Sequence, residues 1–257
     1  MSSALRRWTY GVAAWVSMIT LHADVVGSLL RPPELLKAQK QLDAGASSHT
    51  RFKQIEDRAV DDAVALQELV GLEVVTDGEM RRESFQSQMT AAVNGFGEFT
   101  LDAFVWGDWY DEQGVHTKPR PRHLGVVSKL VRKRYLSADE FAYLKAKTTR
   151  TPKITLPSPG LWANFWSAKH SKAAYPTLDS FFADTVQVLR GEVEELARVG
   201  ATYIQLDAPH YGLLLDPKTR RFYEGQGWSL HKWLSLGIEL DNAVIDGFPG
   251  VTFGLHV

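Results

Sequence analysis

Five polar residues stand where the strands of an α/β protein would end. Ser28, Glu79, Ser158, Asp207 and His256 each follow or close a short β-favouring run. Because the loops after parallel strands of a βα barrel converge on one face, we expect these side chains to lie together there. Two carboxylates on such a face could bind an ammonium group, hold a metal ion or divide acid and base roles, and the residue types do not choose among these.

Each of these residues also has an ordinary structural explanation. A glutamate after a glycine, as at Glu79, often caps a helix, and an aspartate before Ala-Pro, as at Asp207, often makes a turn. A single histidine such as His256 is more often a satisfied core residue than a metal ligand. All five residues share a position at strand ends, and this makes a functional role more plausible for the group than for any one residue alone.

Other side chains give weaker signals. His210-Tyr211 and the cluster Trp106, Trp109 and Tyr110 could line a site for a flat ligand, although packing and loop anchoring are the commoner uses of such residues. The basic run from residue 129 to 134 is typical of a solvated face rather than an anion site.

Composition limits the classes of partner. The chain has 257 residues, with 29 Lys and Arg against 30 Asp and Glu, and no cysteine. Balanced charge argues against nucleic acid or an anionic membrane as a partner. The absence of cysteine excludes disulfides and thiolate ligands from within this sequence. The length suits one α/β barrel or two small domains, and one domain is the simpler interpretation.

The N-terminus has a charged and then an apolar stretch. Arg6 and Arg7 precede an apolar run from Trp8 to Leu21, which superficially resembles a signal peptide. The run is short for a membrane span and continues into the first predicted strand. We therefore interpret residues 1–18 as an N-terminal extension and 19–257 as the folded domain, with the cytoplasm as the expected location.

Hydrophobic periodicity and turn residues place the elements that must position the five candidates. Strands are predicted at residues 19–27, 72–77, 153–156, 203–207 and 251–257. Helices are predicted to begin at Pro32-Pro33 and to cover residues 52–70, 137–147, 178–199 and 230–244, with a Ser137–Glu140 capping box. The region from Gly95 to Val131 has no sustained period and is interpreted as a hairpin or a long insertion.

Strands that alternate with long helices predict parallel βαβ units. The first predicted strand is followed by no glycine fingerprint, which argues against a dinucleotide fold. The predicted fold class is therefore α/β, a (β/α)8 barrel of the TIM type. Five strands, or at most six, fall short of eight, so we expect an incomplete barrel that lacks its last strands and helices.

Four ordered segments together resemble the catalytic barrel of cobalamin-independent methionine synthases, most closely the short single-barrel relatives. The segments are Val26-Gly27-Ser28-Leu29-Leu30-Arg31-Pro32, Val75-Thr76-Asp77-Gly78-Glu79-Met80-Arg81-Arg82, Ile154-Thr155-Leu156-Pro157-Ser158-Pro159 and Ile204-Gln205-Leu206-Asp207. The resemblance runs from about residue 20 to the end, and the order and spacing of the segments make it more specific than any one motif.

The resemblance implies a reaction and roles for individual residues. In that family, methyltetrahydrofolate, usually polyglutamylated, gives its methyl group to the sulfur of homocysteine, which zinc holds as a thiolate. Ser28 resembles the position that receives the amino-acid carboxylate, and Glu79 and Asp207 resemble the acids that hold its ammonium group. Ser158 falls where the family shapes the pocket near the folate, and His256 resembles the first zinc ligand.

The resemblance also has departures. Ala208 stands where long members of the family commonly have glutamate. The family's His-any-Cys pair is represented only by His256, so we expect a fragment with an impaired zinc site and little methyl transfer. The alternatives are a non-catalytic remnant that binds an amino acid, folate or a partner, and a metal-free barrel lyase or decarboxylase. The expected ligands are small molecules, homocysteine or a related thiol together with folate, and oligomeric state is left open.

Overall fold

The computed structural model describes residues 23–83, 87–98 and 124–257. The strands are β1 (Val74–Val75), β2 (Val93–Glu98), β3 (Leu124–Arg132), β4 (Thr151–Pro157), β5 (Tyr203–Asp207) and β6 (Thr252–His256). The helices are α1 (Pro33–Asp43), α2 (His49–Leu69), α3 (Ser87–Ala92), α4 (Ala138–Lys147), α5 (Leu178–Arg198), α6 (His210–Leu213), α7 (Pro217–Gly225), α8 (Leu230–Lys232) and α9 (Ile238–Ile245). A 3-10 helix covers Pro159–Phe165, and a π-helical turn covers Trp233–Gly237.

The described residues form a four-stranded parallel sheet in the order β1-β4-β5-β6, with helices between successive strands. The pairing aligns Pro157 with Asp207 and Asp207 with His256, so the carboxyl ends of three strands lie side by side. This architecture agrees with the α/β barrel predicted from the sequence. Strand β5 has the predicted bounds, and β4, β6 and the long helices deviate by only a few residues.

The predicted first strand is wrong within the described residues, where positions 23–27 form no strand. Side chains of the sheet hold this segment instead. Lys153 Nζ donates to Asp24 Oδ2 at 2.8 Å, and Gln205 Nε2 donates to the Val26 carbonyl at 2.7 Å. The segment therefore crosses the sheet interior where a further barrel strand was expected, but it joins no backbone ladder.

An antiparallel hairpin of β2 and β3 forms a separate two-stranded sheet. The two strands pair at the start and at the end of the region from 95 to 131, which confirms the hairpin interpretation there. Phe96 packs against Trp162 and Phe165 with ring centroids 6.0 and 5.4 Å apart, so the hairpin covers one side of the core. Trp106, Trp109 and Tyr110 lie outside the described residues.

Helix α5 is the central helix of the larger core. Thr177 and Ser180 form a capping box at its start, and Gly200 follows its end with φ +93°, a conformation that favours glycine. Its buried face carries Phe181, Phe182 and six other apolar residues of this core. A second core cluster lies between α1, α2 and β1. Within the described ranges, every helix is too short or too polar to span a lipid bilayer.

The capping box predicted at Ser137 is wrong, although helix α4 begins there as predicted. Ser137 Oγ donates to Gln88 Oε1 at 3.1 Å, and the Glu140 side chain accepts from Arg82 instead of reaching back to the helix start. Glu192 takes over the capping role from helix α5. Its two oxygens each accept a backbone N–H, from Leu136 and from Ser137, at 2.7 Å.

The helix predicted over 230–244 is present but interrupted by the π-helical turn. Gly237 lies in that turn, where a Cβ would approach Trp233 Cε3 to 3.2 Å and Tyr211 Oη to 3.3 Å. A π-helical turn contains one residue more than a regular helical turn, and the small Gly237 lets this wider turn lie against two aromatic rings.

Glu192→Gln should lower the free energy of unfolding by about 1–3 kcal/mol at pH 5, because the amide leaves one buried backbone N–H without an acceptor. Glu194→Gln is the matched control, since the Glu194 side chain is 60% exposed on the same helix. Urea unfolding followed by circular dichroism measures both variants. Equal stability of the two variants would contradict the capping role.

The same carboxylate should make stability depend on pH. Burial raises the pKa of Glu192 above its ordinary value of 4.5. A raised folded-state pKa gives stability that is complete below the unfolded pKa and is lost as pH rises through the folded pKa. The stability difference between the natural chain and Glu192→Gln should therefore narrow as pH rises from 4.5. Denaturant titrations at several pH values test this, and a gap that widens would refute it.

Candidate functional site

Four of the five residues predicted from strand ends line one cavity. Ser28, Glu79, Asp207 and His256 surround a space of about 330 Å³, together with Val26, Gly27 and Pro209. This volume lies near the lower end of the range for small-molecule sites. Ser28, two carboxylates and an imidazole thus lie in one place, as their positions at strand ends predict.

Glu79 occupies an unusual backbone conformation. Its φ is +53°, in the left-handed region that favours glycine, and it follows Gly78 with φ +67°. Asp77 Oδ1 accepts the Glu79 N–H at 2.9 Å, and Arg31 Nη2 donates to the Glu79 carbonyl at 3.1 Å. A left-handed non-glycine residue costs about 1–2 kcal/mol, and such residues cluster at functional sites. The turn after β1 thus stabilises a strained backbone that carries the Glu79 carboxylate.

The Glu79 carboxylate is buried and held by three donors. Thr155 Oγ1 donates to Oε1 at 2.6 Å, Arg82 Nη1 donates to the same oxygen at 3.1 Å, and Ser28 Oγ donates to Oε2. Arg82 also forms an ion pair with Glu140 at 3.0 Å. One guanidinium therefore serves two carboxylates, and burial raises the pKa of Glu140 to about 7.

Asp207 is the second buried carboxylate of the cavity. Its Oδ1 accepts from Gln205 Nε2 at 2.7 Å and lies 3.2 Å from His256 Nδ1. Burial raises the pKa of Asp207, the charge of Glu79 raises it further, and the hydrogen bonds from Gln205 and His256 oppose the shift. The Asp207 and Glu79 carboxylates therefore feel each other electrostatically, and a cation between them would relieve that repulsion.

Ser158 lies outside this cavity. Its hydroxyl donates to Asp241 Oδ1 at 2.6 Å, and Tyr211 donates to Asp241 Oδ2 at 2.8 Å. Ser158 directly follows β4 and lies three positions after Thr155. Because side chains alternate between the two faces of an extended chain, Ser158 and Thr155 point to opposite sides. The role of Ser158 near a folate stays a prediction.

His210 packs as a core residue. It is buried with its ring against Tyr211 and Trp233, at centroid distances of 4.3 and 5.2 Å. Burial lowers its pKa to about 3. A Cβ at Gly160 would overlap His210 Nε2, so the glycine is needed for this packing. The packing interpretation of His210 fits these contacts.

Three further residues of the site, Arg82, Thr155 and Gln205, were not predicted from the sequence. All three are buried and contact the two carboxylates. Strand alternation could have pointed to two of these residues, Gln205 and Thr155. Gln205 precedes Asp207 by two positions, so both face the same side of β5, and Thr155 pairs with Gln205 across the sheet.

The described side chains do not fit a zinc site of the usual kind. Structural and catalytic zinc is held by three or four protein ligands in a tetrahedral arrangement. Among residues 23–83, 87–98 and 124–257, no group of three or more His, Cys, Asp or Glu side chains could hold a metal ion. A single imidazole does not satisfy this requirement.

A larger open groove of about 850 Å³ lies at the end of α9. None of the five strand-end residues lines it. Its walls include Ile245, Phe248 and Phe253, with Glu239 and Asp246 among the polar residues. The smaller cavity is the better candidate because its buried carboxylates converge on one space.

Known sequences support an assignment to a family. Residues 21–232 match the profile of the cobalamin-independent synthase catalytic domain. A methionine synthase from Pyrococcus horikoshii is 32% identical over 238 residues, which cover 92% of this chain and 61% of that protein. The uncharacterized protein YxjH from Bacillus subtilis is 27% identical over 237 residues, covering 91% and 60%. The chain thus spans about three fifths of the length of these relatives.

Solved structures show the same fold. A Listeria monocytogenes protein assigned to the vitamin-B12-independent methionine synthases superposes with a TM-score of 0.68 at 19% identity, over 92% of this chain and 65% of that one. A B12-independent methionine synthase from Shewanella, in complex with selenomethionine, gives a TM-score of 0.59 at 20% identity, over 82% and 54%. The family match over most of the chain and the shared barrel architecture agree: this chain belongs to the cobalamin-independent methionine synthase family.

Proposed function

We propose that the cavity binds the amino-acid end of homocysteine, or of a related thiol, for methyl transfer in methionine biosynthesis. The observation that carries this proposal is the convergence of Glu79 and Asp207, both buried, on one cavity that Ser28 also lines. Family membership supports it independently.

The ammonium group of the substrate is the cation for which this charge distribution is suited. Glu79 shares Arg82 with Glu140, and Asp207 has only partial compensation from Gln205 and His256. An ammonium group supplies three N–H donors and a positive charge. Charge-assisted hydrogen bonds of this kind are about twice as strong as neutral ones.

Ser28 serves the carboxylate of the substrate. In the described structure its hydroxyl donates to Glu79 and remains exposed to the cavity, so rotation about one bond can redirect the proton towards a ligand. An amino acid held at both charged ends has its side chain in a fixed direction. The contribution to catalysis is then orientation of the sulfur towards the methyl donor, which the family implies is methyltetrahydrofolate.

Zinc, when bound in this family, supplies the thiolate by lowering the pKa of the coordinated thiol. Because the described donor set does not fit it, no metal-bound species enters the roles assigned above. Cytoplasmic location stays a prediction from sequence.

The second candidate function is binding of an amino acid without catalysis. The two buried carboxylates favour it, because an ammonium group can be bound between them without a metal ion. Both functions require the same ammonium site. Formation of methionine from homocysteine and methyltetrahydrofolate, with zinc supplied, supports the methyltransferase, whereas binding without turnover supports the second candidate.

Glu79→Gln should weaken L-homocysteine binding about 10- to 100-fold, because a charge-assisted hydrogen bond contributes about 1.5–3 kcal/mol. Isothermal titration calorimetry under reducing conditions measures this. Glu83→Gln, at an exposed position four residues away, should bind like the natural chain.

The matched ligand for that experiment is 4-sulfanylbutanoic acid, which lacks the ammonium group. It should bind the natural chain weakly and lose little further affinity in Glu79→Gln. Equal losses for both ligands would show that Glu79 acts through general structure and would contradict the assigned role.

Gly27→Ala should also weaken homocysteine binding, about tenfold or more. Its Cβ would lie 2.7 Å from Glu79 Oε1 and 3.0 Å from Thr155 Cγ2, so the carboxylate must move. Gly250→Ala is the control, because nothing lies within 4 Å of a Cβ there. Calorimetry and thermal unfolding of both variants provide the test, and unchanged affinity in a folded Gly27→Ala protein would exclude the close approach.

A further inference from the structure

A fully buried lysine lies beneath the carboxylate site. Lys153 has no exposed surface, and its three ammonium protons go to Asp24 Oδ2 at 2.8 Å, Gln205 Oε1 at 2.9 Å and the Val25 carbonyl. Buried lysine is costly unless it is paired and fully hydrogen-bonded, and here both conditions are met. The roles assigned above to Ser28, Glu79 and Asp207 do not include this group.

The lysine determines which end of the Gln205 amide faces the site. Because Nζ is a donor only, it holds the amide oxygen, and the amide nitrogen is left to donate elsewhere. That nitrogen donates to Asp207 Oδ1 at 2.7 Å and to the Val26 carbonyl at 2.7 Å. Both N–H groups of the amide are therefore used, one on each wall of the cavity.

Strand geometry makes this chain of contacts possible. Residues 153 and 155 face the same side of β4, and 203, 205 and 207 face the same side of β5. The register pairs Lys153 with Tyr203 and Thr155 with Gln205, so Lys153 and Gln205 are diagonal neighbours on the interior face. The Gln205 amide thus connects two opposite parts of the cavity, the Val26 backbone and the Asp207 carboxylate.

We propose that Lys153 and Gln205 are a positioning pair, which fixes the Asp207 carboxylate and its distance from the 24–27 segment for recognition of a substrate ammonium group. This inference rests on the proposed function and extends it to residues that touch no ligand. Without Lys153 the amide can turn over, and its oxygen then faces Asp207 Oδ1 with repulsion between two acceptors.

The test is a double-mutant cycle on homocysteine affinity. Lys153→Met should weaken binding about tenfold in the natural background and have no further effect in Asp207→Asn, because an asparagine can match either amide orientation. Lys147→Met removes a partly exposed lysine that is ion-paired with Asp61, and it should leave affinity unchanged. If Lys153→Met weakened homocysteine binding by the same factor in the natural chain and in Asp207→Asn, the proposal would be overturned, since a purely structural effect does not depend on Asp207.

Gln205→Glu supplies a second variant should Lys153→Met not fold. It keeps the acceptor for Lys153 but places a carboxylate against Asp207, and it should weaken homocysteine binding at least tenfold. Here too Asp207→Asn should abolish the effect. An affinity within twofold of the natural chain would overturn the proposal.

A measurement without ligand separates this inference from the proposed function. The side-chain NH₂ signals of Gln205, assigned by their loss in Gln205→Glu, should exchange slowly with solvent in the natural chain. In Asp24→Asn, which weakens the hold on Lys153, the same signals should shift and exchange faster. If the natural chain binds no homocysteine, the proposed function fails while this readout still decides the positioning claim. Unaltered Gln205 signals in Asp24→Asn would overturn it.

Discussion

The site depends on one buried guanidinium, which is paired with two carboxylates. Taking a carboxylate and a guanidinium out of water is unfavourable unless geometry and further hydrogen bonds compensate for lost hydration. Arg82 meets this condition by binding Glu79, Glu140 and both the hydroxyl and carbonyl of Thr155. The turn after β1, helix α4 and strand β4 are thus joined by a single side chain. The Glu79 backbone can remain in a left-handed conformation because its side chain and its neighbours are fixed in this way.

The sequence predicted the site where a general geometric rule applied. Parallel strands deliver the residues at their carboxyl ends to one face, and Ser28, Glu79, Asp207 and His256 follow that rule. Ser158 did not, because the rule gives the end of the strand and not the face. The alternation of side chains along β4, with Thr155 facing the interior, would have placed Ser158 on the opposite face.

Long-range contacts explain where local patterns failed. Ser137 and Glu140 have the spacing of a capping box, but Glu140 lies within reach of Arg82, and charge pairing in a buried place outweighs a local cap. The segment near Asp24 has strand-like composition, but the buried Lys153 and Gln205 take the place of a backbone ladder. Because Lys153 and Gln205 lie more than a hundred residues from this segment, a local sequence pattern cannot reveal these contacts. Helix α5, by contrast, has strong local periodicity and formed nearly as predicted.

The π-helical turn before α9 changes the rotational phase of everything that follows it. A residue added to a helix turns the next part by about 100°, since a regular helix has about 3.6 residues per turn. Asp241 lies four positions after Gly237, and with that added rotation its carboxylate accepts hydrogen bonds from Ser158 and Tyr211. Deleting one residue from the turn would restore regular helical hydrogen bonds and at the same time swing the carboxylate away from both hydroxyls. The π-helical turn and Asp241 therefore act as one unit, because a change in helical register moves the carboxylate relative to both hydroxyls.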